Sequence, residues 1–78
     1  MSYKQKFNKK YKQPANASNS KANISKLTGI PIKDLDRVFD ETMKYPATNG
    51  YTDLDKKIPI GAYAMVRVYK YALENKRK

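Results

Sequence analysis

The chain has 78 residues, about half a usual domain length, so it holds one small domain and no second one. Its 17 Lys/Arg against 7 Asp/Glu give a net charge of +10, and cysteine, histidine and tryptophan are absent. Disulfide staples, thiolate or imidazole metal sites, and Cys or His nucleophiles and bases are thereby excluded, and no cofactor is expected. The longest clear apolar run, Ala62 to Val66, is too short to span a membrane. The first fifteen residues lack the apolar core of a secretory signal, so the expected protein is not secreted and is not an enzyme.

Residues 1–26 carry Lys4, Lys6, Lys9, Lys10, Lys12, Lys21 and Lys26 and no acid. Residues 27–75 balance seven Lys/Arg with seven Asp/Glu, and Lys76, Arg77 and Lys78 follow. A neutral body between basic ends is the pattern of a chain that meets polyanions with its tails. Solubility alone does not call for so many lysines free of counter-charge.

Residues 1–19 read as a disordered basic tail and linker, because Gln13 to Ser20 is small, polar and aperiodic. Tyr3, Phe7 and Tyr11 recur every four residues, and on an induced helix they form one stripe flanked by lysines. Such a stripe suits base stacking beside phosphate neutralisation. It equally suits an anchor in a protein groove or at a membrane interface.

Residues 20–78 read as a small helical domain with a basic C-terminal end. Asn19, Ser20 or Asn23 is placed to cap a first helix with Ala22, Ile24 and Leu27, which ends at Thr28-Gly29 with Gly29 left-handed. Pro31 opens a second helix, on which Ile32, Leu35, Val38, Phe39 and Met43 make the buried stripe. Asp34 and Asp36 favour its N-terminal end, and Tyr45-Pro46 stops it. In the connector Asn49-Gly50 signals a turn, and Thr52 is placed to cap a short turn that points Leu54 inward. After Pro59 a third helix of about fifteen residues puts Ala62, Met65, Val66, Tyr69, Ala72 and Leu73 on its apolar face, opposite Tyr63, Arg67, Lys70 and Glu74. Three helices on so short a chain make a thin core, so partner binding or self-association is a natural source of added stability.

The run Ile24 to Phe39 has helix-turn-helix spacing: Ser25 lets the helices approach, Gly29 turns the chain, and Leu35 with Val38 locks the second helix. The groove-facing residues would then be Ile32, Lys33, Asp36 and Arg37. Any αα-corner needs the same residues, however, and Asp34, Asp36, Asp40 and Glu41 on the second helix oppose phosphate contact. A packing corner is the preferred reading.

From Ser25 to Tyr71 the chain resembles a small uncharacterised domain found in tailed phages and in large DNA viruses of algae and protists. The likeness is carried by Lys26, Thr28-Gly29-Ile30-Pro31, Leu35, Val38-Phe39, Met43 and Thr48, then by Tyr63, Met65, Arg67-Val68 and Tyr71. The last group is similar to that family's tryptophan-to-"ARV" helix with aromatic replacements. The family's Arg-Pro-Gly turn after the threonine is absent, and residues 49–61 look like a longer insertion. The resemblance implies a viral source, in the host cytoplasm or the virion, and no catalytic residues.

The fold expected is therefore all-α, three helices with a helix-turn-helix-like corner and a disordered tail. The function expected is phosphate-mediated nucleic-acid binding through Lys4, Lys6, Lys9, Lys10, Lys12, Lys33, Arg37, Lys76, Arg77 and Lys78, with Tyr3, Phe7 and Tyr11 stacking or anchoring. Two alternatives have the same composition. One is a minor capsid or virion protein whose basic arm docks on larger subunits, and the other is a small ribosomal protein.

Overall fold

The architecture follows from two helix pairs that share one helix. The structure, a computed structural model, describes residues 2–51 and 58–76. The elements are α1 (Tyr3–Lys10), α2 (Lys21–Thr28), α3 (Ile32–Lys44) and α4 (Ile60–Asn75), with no strand among the described residues. α4 packs on α3 along one side and on α1 along another, while α2 packs on α3. The all-α class is as expected, with four helices in place of three. The short turn expected at Thr52 to Asp55, with Leu54 inward, lies outside the described residues.

The α2–α3 corner is built from local bonds. Ser20 is the N-cap and accepts from the Asn23 N–H at 3.1 Å. Gly29, at φ 78°, ends α2 and donates its N–H to the Ser25 carbonyl at 2.8 Å. The Thr28 hydroxyl donates to the Ile24 carbonyl at 2.7 Å and accepts from the Ile30 N–H at 3.2 Å. The Ser25 hydroxyl donates to the Ile30 carbonyl. Both backbone groups of Ile30 are thus satisfied by α2 side chains, which allows a loop residue to be fully buried without orphaned polar atoms.

On α3 the buried strip is narrower than the apolar periodicity. Leu35 and Thr42 are fully buried, and Val38 and Phe39 pack against the core from either side. Ile32 and Met43 are exposed. At about 100° per residue they stand about 60° and 80° around the helix from Leu35, at the edge of the strip. Thr42 fits inside because its hydroxyl donates to the Val38 carbonyl at 2.8 Å.

α4 is turned relative to expectation. Its buried residues are Ala64, Val68, Tyr69 and Ala72, whereas Ala62 is exposed. Residues 60–73 are apolar around most of the helix, so periodicity does not select one face, and two neighbours rather than one cover it. The side expected to be polar has a structural task. Tyr63 donates to the Asn49 carbonyl at 2.8 Å and its ring lies 5.1 Å from that of Tyr51, which closes the connector onto α4.

The largest departure from expectation is at the N-terminus, where the disordered tail is replaced by α1 and an ordered strap. Ser2 and Gln5 form a reciprocal capping box. Lys12, at φ 57°, turns the chain, with the Lys12 N–H on the Lys9 carbonyl at 3.2 Å and the Gln13 N–H on the Asn8 carbonyl at 2.8 Å. Phe7 is fully buried, 4.7 Å from the Tyr11 ring and 5.2 Å from Tyr69. Asn8 is also fully buried. Its amide donates to the carbonyls of Ala15 and Ala17, each at 2.9 Å, and its oxygen accepts from Asn19 at 2.7 Å. The Asn19 backbone N–H reaches the Tyr69 hydroxyl at 3.2 Å, and Asn23 donates to the Asn19 side-chain oxygen at 2.6 Å. An isolated eight-residue helix is marginal in water, so the burial of Phe7 and these bonds are what hold α1 in place. Phe7 and Tyr11 share one core with residues of α2, α3 and α4.

Phe7→Ala should cost about 3 kcal/mol or more, most of the stability such a small domain has. Asn8→Ala should cost about 1–3 kcal/mol by orphaning its buried partners. Urea midpoints measure both, and amide exchange should show protection lost from α1 first. Unchanged midpoints would contradict the docking of α1. At the connector, Gly50 has φ 91°, and an added Cβ would meet the Tyr63 hydroxyl at 2.8 Å. Gly50→Ala should therefore destabilise by more than about 1 kcal/mol in the same assay.

Candidate polyanion-binding surface

Folding converts most of the expected tail lysines into a fixed array. Phe7, Asn8 and Tyr11 face the core side of α1, which leaves Lys6, Lys9 and Lys10 on its exposed side and Lys12 exposed on the following turn. Lys4 is half-buried beside Asn19, Met65 and Tyr69, in a shallow groove between α1 and α4. No acidic residue precedes Asp34, so nothing within α1 or the strap offsets these charges.

The C-terminal ends of α1 and α4 lie together. The Lys10 pKa is held below the usual lysine range, first because a neutral Lys10 amine can accept a hydrogen bond from the Lys76 ammonium, then by partial loss of hydration and by the like charge of Lys76. Both lysines sit where helix carbonyls leave partial negative charge, which offsets part of their repulsion. The Tyr3 ring has the Lys6 ammonium 5.2 Å from its centre and that of Lys70 at 5.8 Å. Residues far apart in sequence thus contribute to one basic surface. Arg77 and Lys78, also expected there, lie outside the described residues.

The aromatic stripe takes a different role from the one expected. Phe7 has no exposed surface and cannot stack on a base, and Tyr11 is half-buried against the same core. Tyr3 alone of the three remains open to solvent, at 37% exposure. The stripe is an anchor, but in the protein's own core.

Of the helix-turn-helix set, Lys33, Asp36 and Arg37 line one shallow surface on α3, shared with Asp40 and Glu41. Lys21 forms an ion pair with Asp36 at 2.9 Å and lies 4.1 Å from the Phe39 ring centre, which ties Asp36 back to α2. Lys33 is exposed among Asp36, Asp40, Glu41 and Lys44, a surface of mixed sign. Arg37 borders this surface and also lines a cleft with Arg67 and Lys70. Sequence reasoning placed Arg67 and Lys70 on a polar face and assigned them no site. Their spacing of three marks a shared helix side, but nothing in the sequence pairs that side with Arg37.

Among the described residues no cluster of three or more His, Cys, Asp or Glu is arranged to hold a metal. No described helix is long and apolar enough to cross a membrane.

Neither the curated proteins nor the solved structures contain a match to this chain. A protein-family model does match it, from residue 1 through residue 78, helix α1 and the strap included. The agreement spans the whole chain, which therefore belongs to DUF5824, a family of unknown function.

Proposed function

We propose that the protein is a non-enzymatic nucleic-acid-binding protein that neutralises backbone phosphates with the outer face of α1 and the adjoining C-terminal end of α4. The observation that carries this reading is the exposed set Lys6, Lys9, Lys10 and Lys12, held on one helix and its turn without an acid in that segment. A preformed array meets a regular phosphate backbone without the ordering cost that a flexible tail incurs on binding. Lys76 extends the array, and its contact with Lys10 is an unfavourable juxtaposition that an intervening phosphate relieves. The viral or phage setting, and with it the host cytoplasm or virion, is carried by the sequence resemblance. The alternative of a basic arm docked on larger subunits is less favoured, because α1 is folded against the core and leaves no extended arm among the described residues.

Suppose about six cations meet phosphates on a duplex, each releasing about 0.9 of a condensed counterion; log K should then fall against log salt with a slope near −5, or about a thousandfold between 50 and 200 mM. Lys9→Ala with Lys10→Ala should make the slope shallower by about two and weaken unrelated sequences alike. A slope shallower than about −2, or no binding at 50 mM salt, would refute the proposal. The pH dependence has a definite sign. Phosphate contact favours the protonated form of Lys10 and so opposes the downward shift caused by Lys76. Affinity should therefore decline as pH rises through the lowered Lys10 pKa, and Lys10→Ala should remove that decline.

A further inference from the structure

On another side of α4 from α1, the helix forms with α3 a cleft of about 250 Å³. Arg37, Arg67 and Lys70 line it together with Glu41, Glu74 and Asn49. Arg67 and Lys70 are half-buried and make the floor, while Arg37, Glu41 and Glu74 are exposed and make the rim. None of the three cations is ion-paired with either carboxylate, although all five line one small space. Among the described residues, Arg67 is the charged side chain with a buried polar atom lacking a partner: its Nε is shielded from water and bonded to nothing. An unpaired, partly desolvated guanidinium is costly, and most buried polar groups in folded proteins find a partner. Asn49 lines the same cleft, its amide nitrogen donating to the Glu41 and Tyr45 carbonyls at 3.2 and 2.9 Å.

We infer that this cleft is a discrete phosphate-binding site, in which Arg67 receives a single phosphate group at the floor, Arg37 closes over it from α3, and Lys70, whose ammonium also lies 5.8 Å from the Tyr3 ring centre, adds charge from the α1 side. A guanidinium fork matches the oxygens of a phosphate, and a second cation balances the remaining charge. The carboxylates at the rim limit the site. They repel extended polyanions that lie flat across the opening and leave room for one group inserted to the floor. The phosphate is either a terminal one, on a free nucleotide or a chain end, or an internal phosphodiester. The site takes no residue of α1, although its Lys70 adjoins Tyr3, and it does not depend on the reading given above.

The test is a nitrogen–proton NMR titration of the full chain, following the Arg67 Nε–H and the backbone amides. Inorganic phosphate is the first probe, followed by a dinucleotide with a 5′-phosphate and the same dinucleotide with a 5′-hydroxyl. Saturable movement of the Arg67 Nε–H, with smaller changes at Lys6 and Lys9, is expected. Response to the 5′-phosphate form alone identifies a terminal phosphate, and equal response to both dinucleotides identifies the internal diester. Arg67→Gln should weaken phosphate binding about tenfold or more through loss of a charge-assisted bond. Arg37→Ala, at an exposed position that carries no packing, should weaken it several-fold with an unchanged amide spectrum. Lys9→Ala with Lys10→Ala should leave it unaltered. The inference is overturned if phosphate moves the α1 lysines and not Arg67, or if both arginine variants bind as tightly as the parent. In either case steep salt-dependent duplex binding stands or falls separately.

Discussion

The buried hydrogen bonds among Asn8, Asn19 and Tyr69 are the constraint on which the rest of the molecule depends. Together with the burial of Phe7, they connect three segments: a short lysine-rich helix, an aperiodic strap and the central helix α4. Asn8 spends both amide hydrogens on strap carbonyls and its oxygen on Asn19, so the strap is held by side-chain bonds without a ladder of its own. A network of this kind has value only when complete, since a half-satisfied buried amide costs more than an apolar substitute. It also gives direction. Phe7 on its own could slide along an apolar surface, but the amide bonds fix α1 at one height along α4, beside Tyr69.

Docking α1 determines what the basic charge can do. Were residues 1–19 loose, the lysines would spread over many conformations and polyanion binding would have to order them at an entropic cost of roughly 1–2 kcal/mol per backbone residue. On a fixed helix that cost is already met by the core. The same docking explains why two lysines sit against each other at the ends of α1 and α4, a contact that works against folding and is tolerated because the helix ends carry partial negative charge.

The sequence made the α2–α3 corner and the extent of α4 legible and concealed the docking of α1 on α4, and the reason is the range of the forces involved. Gly29, Pro31 and Tyr45-Pro46 act through steric limits on single residues, so they mark boundaries wherever they occur. The period of Leu35, Val38 and Phe39 reflects burial, but it does not show that Ile32 and Met43 stay exposed or that Thr42 lies inside, its hydroxyl bonded to the Val38 carbonyl. By contrast, Asn8, Asn19 and Asn23 look like linker composition until their partners are known, because an amide's stabilising effect depends on pairing across space rather than on polarity. Lys12 turns the chain in the left-handed region without the glycine that would announce it. Tyr3, Phe7 and Tyr11 do have helical spacing, and the lysines between them made that stripe look like an external surface when its partner is α4. The candidate sites are long-range in the same sense. Lys10 meets Lys76, and Arg37 meets Arg67, only after the helices have packed.

The placement of the acids completes the electrostatic logic. Asp34, Asp36, Asp40 and Glu41 all belong to α3, where Lys33, Arg37 and Lys44 nearly balance them. α1 and its turn carry five lysines with nothing opposed to them. The molecule is therefore strongly positive where α1 faces solvent and close to neutral along α3. A long polyanion, if it is the partner proposed above, would be steered toward the first surface, because attraction summed over many phosphates extends about a Debye length into solvent, roughly 8–10 Å at moderate salt. The α3–α4 cleft works on shorter range. Its three cations are shielded at the rim by Glu41 and Glu74, so it attracts little from a distance and discriminates only once a single anionic group has entered. In the proposed reading, one central helix carries a surface suited to collecting polyanions on its α1 side and a recess suited to one phosphate on its α3 side, and the rim carboxylates would keep a bound polyanion from occupying both.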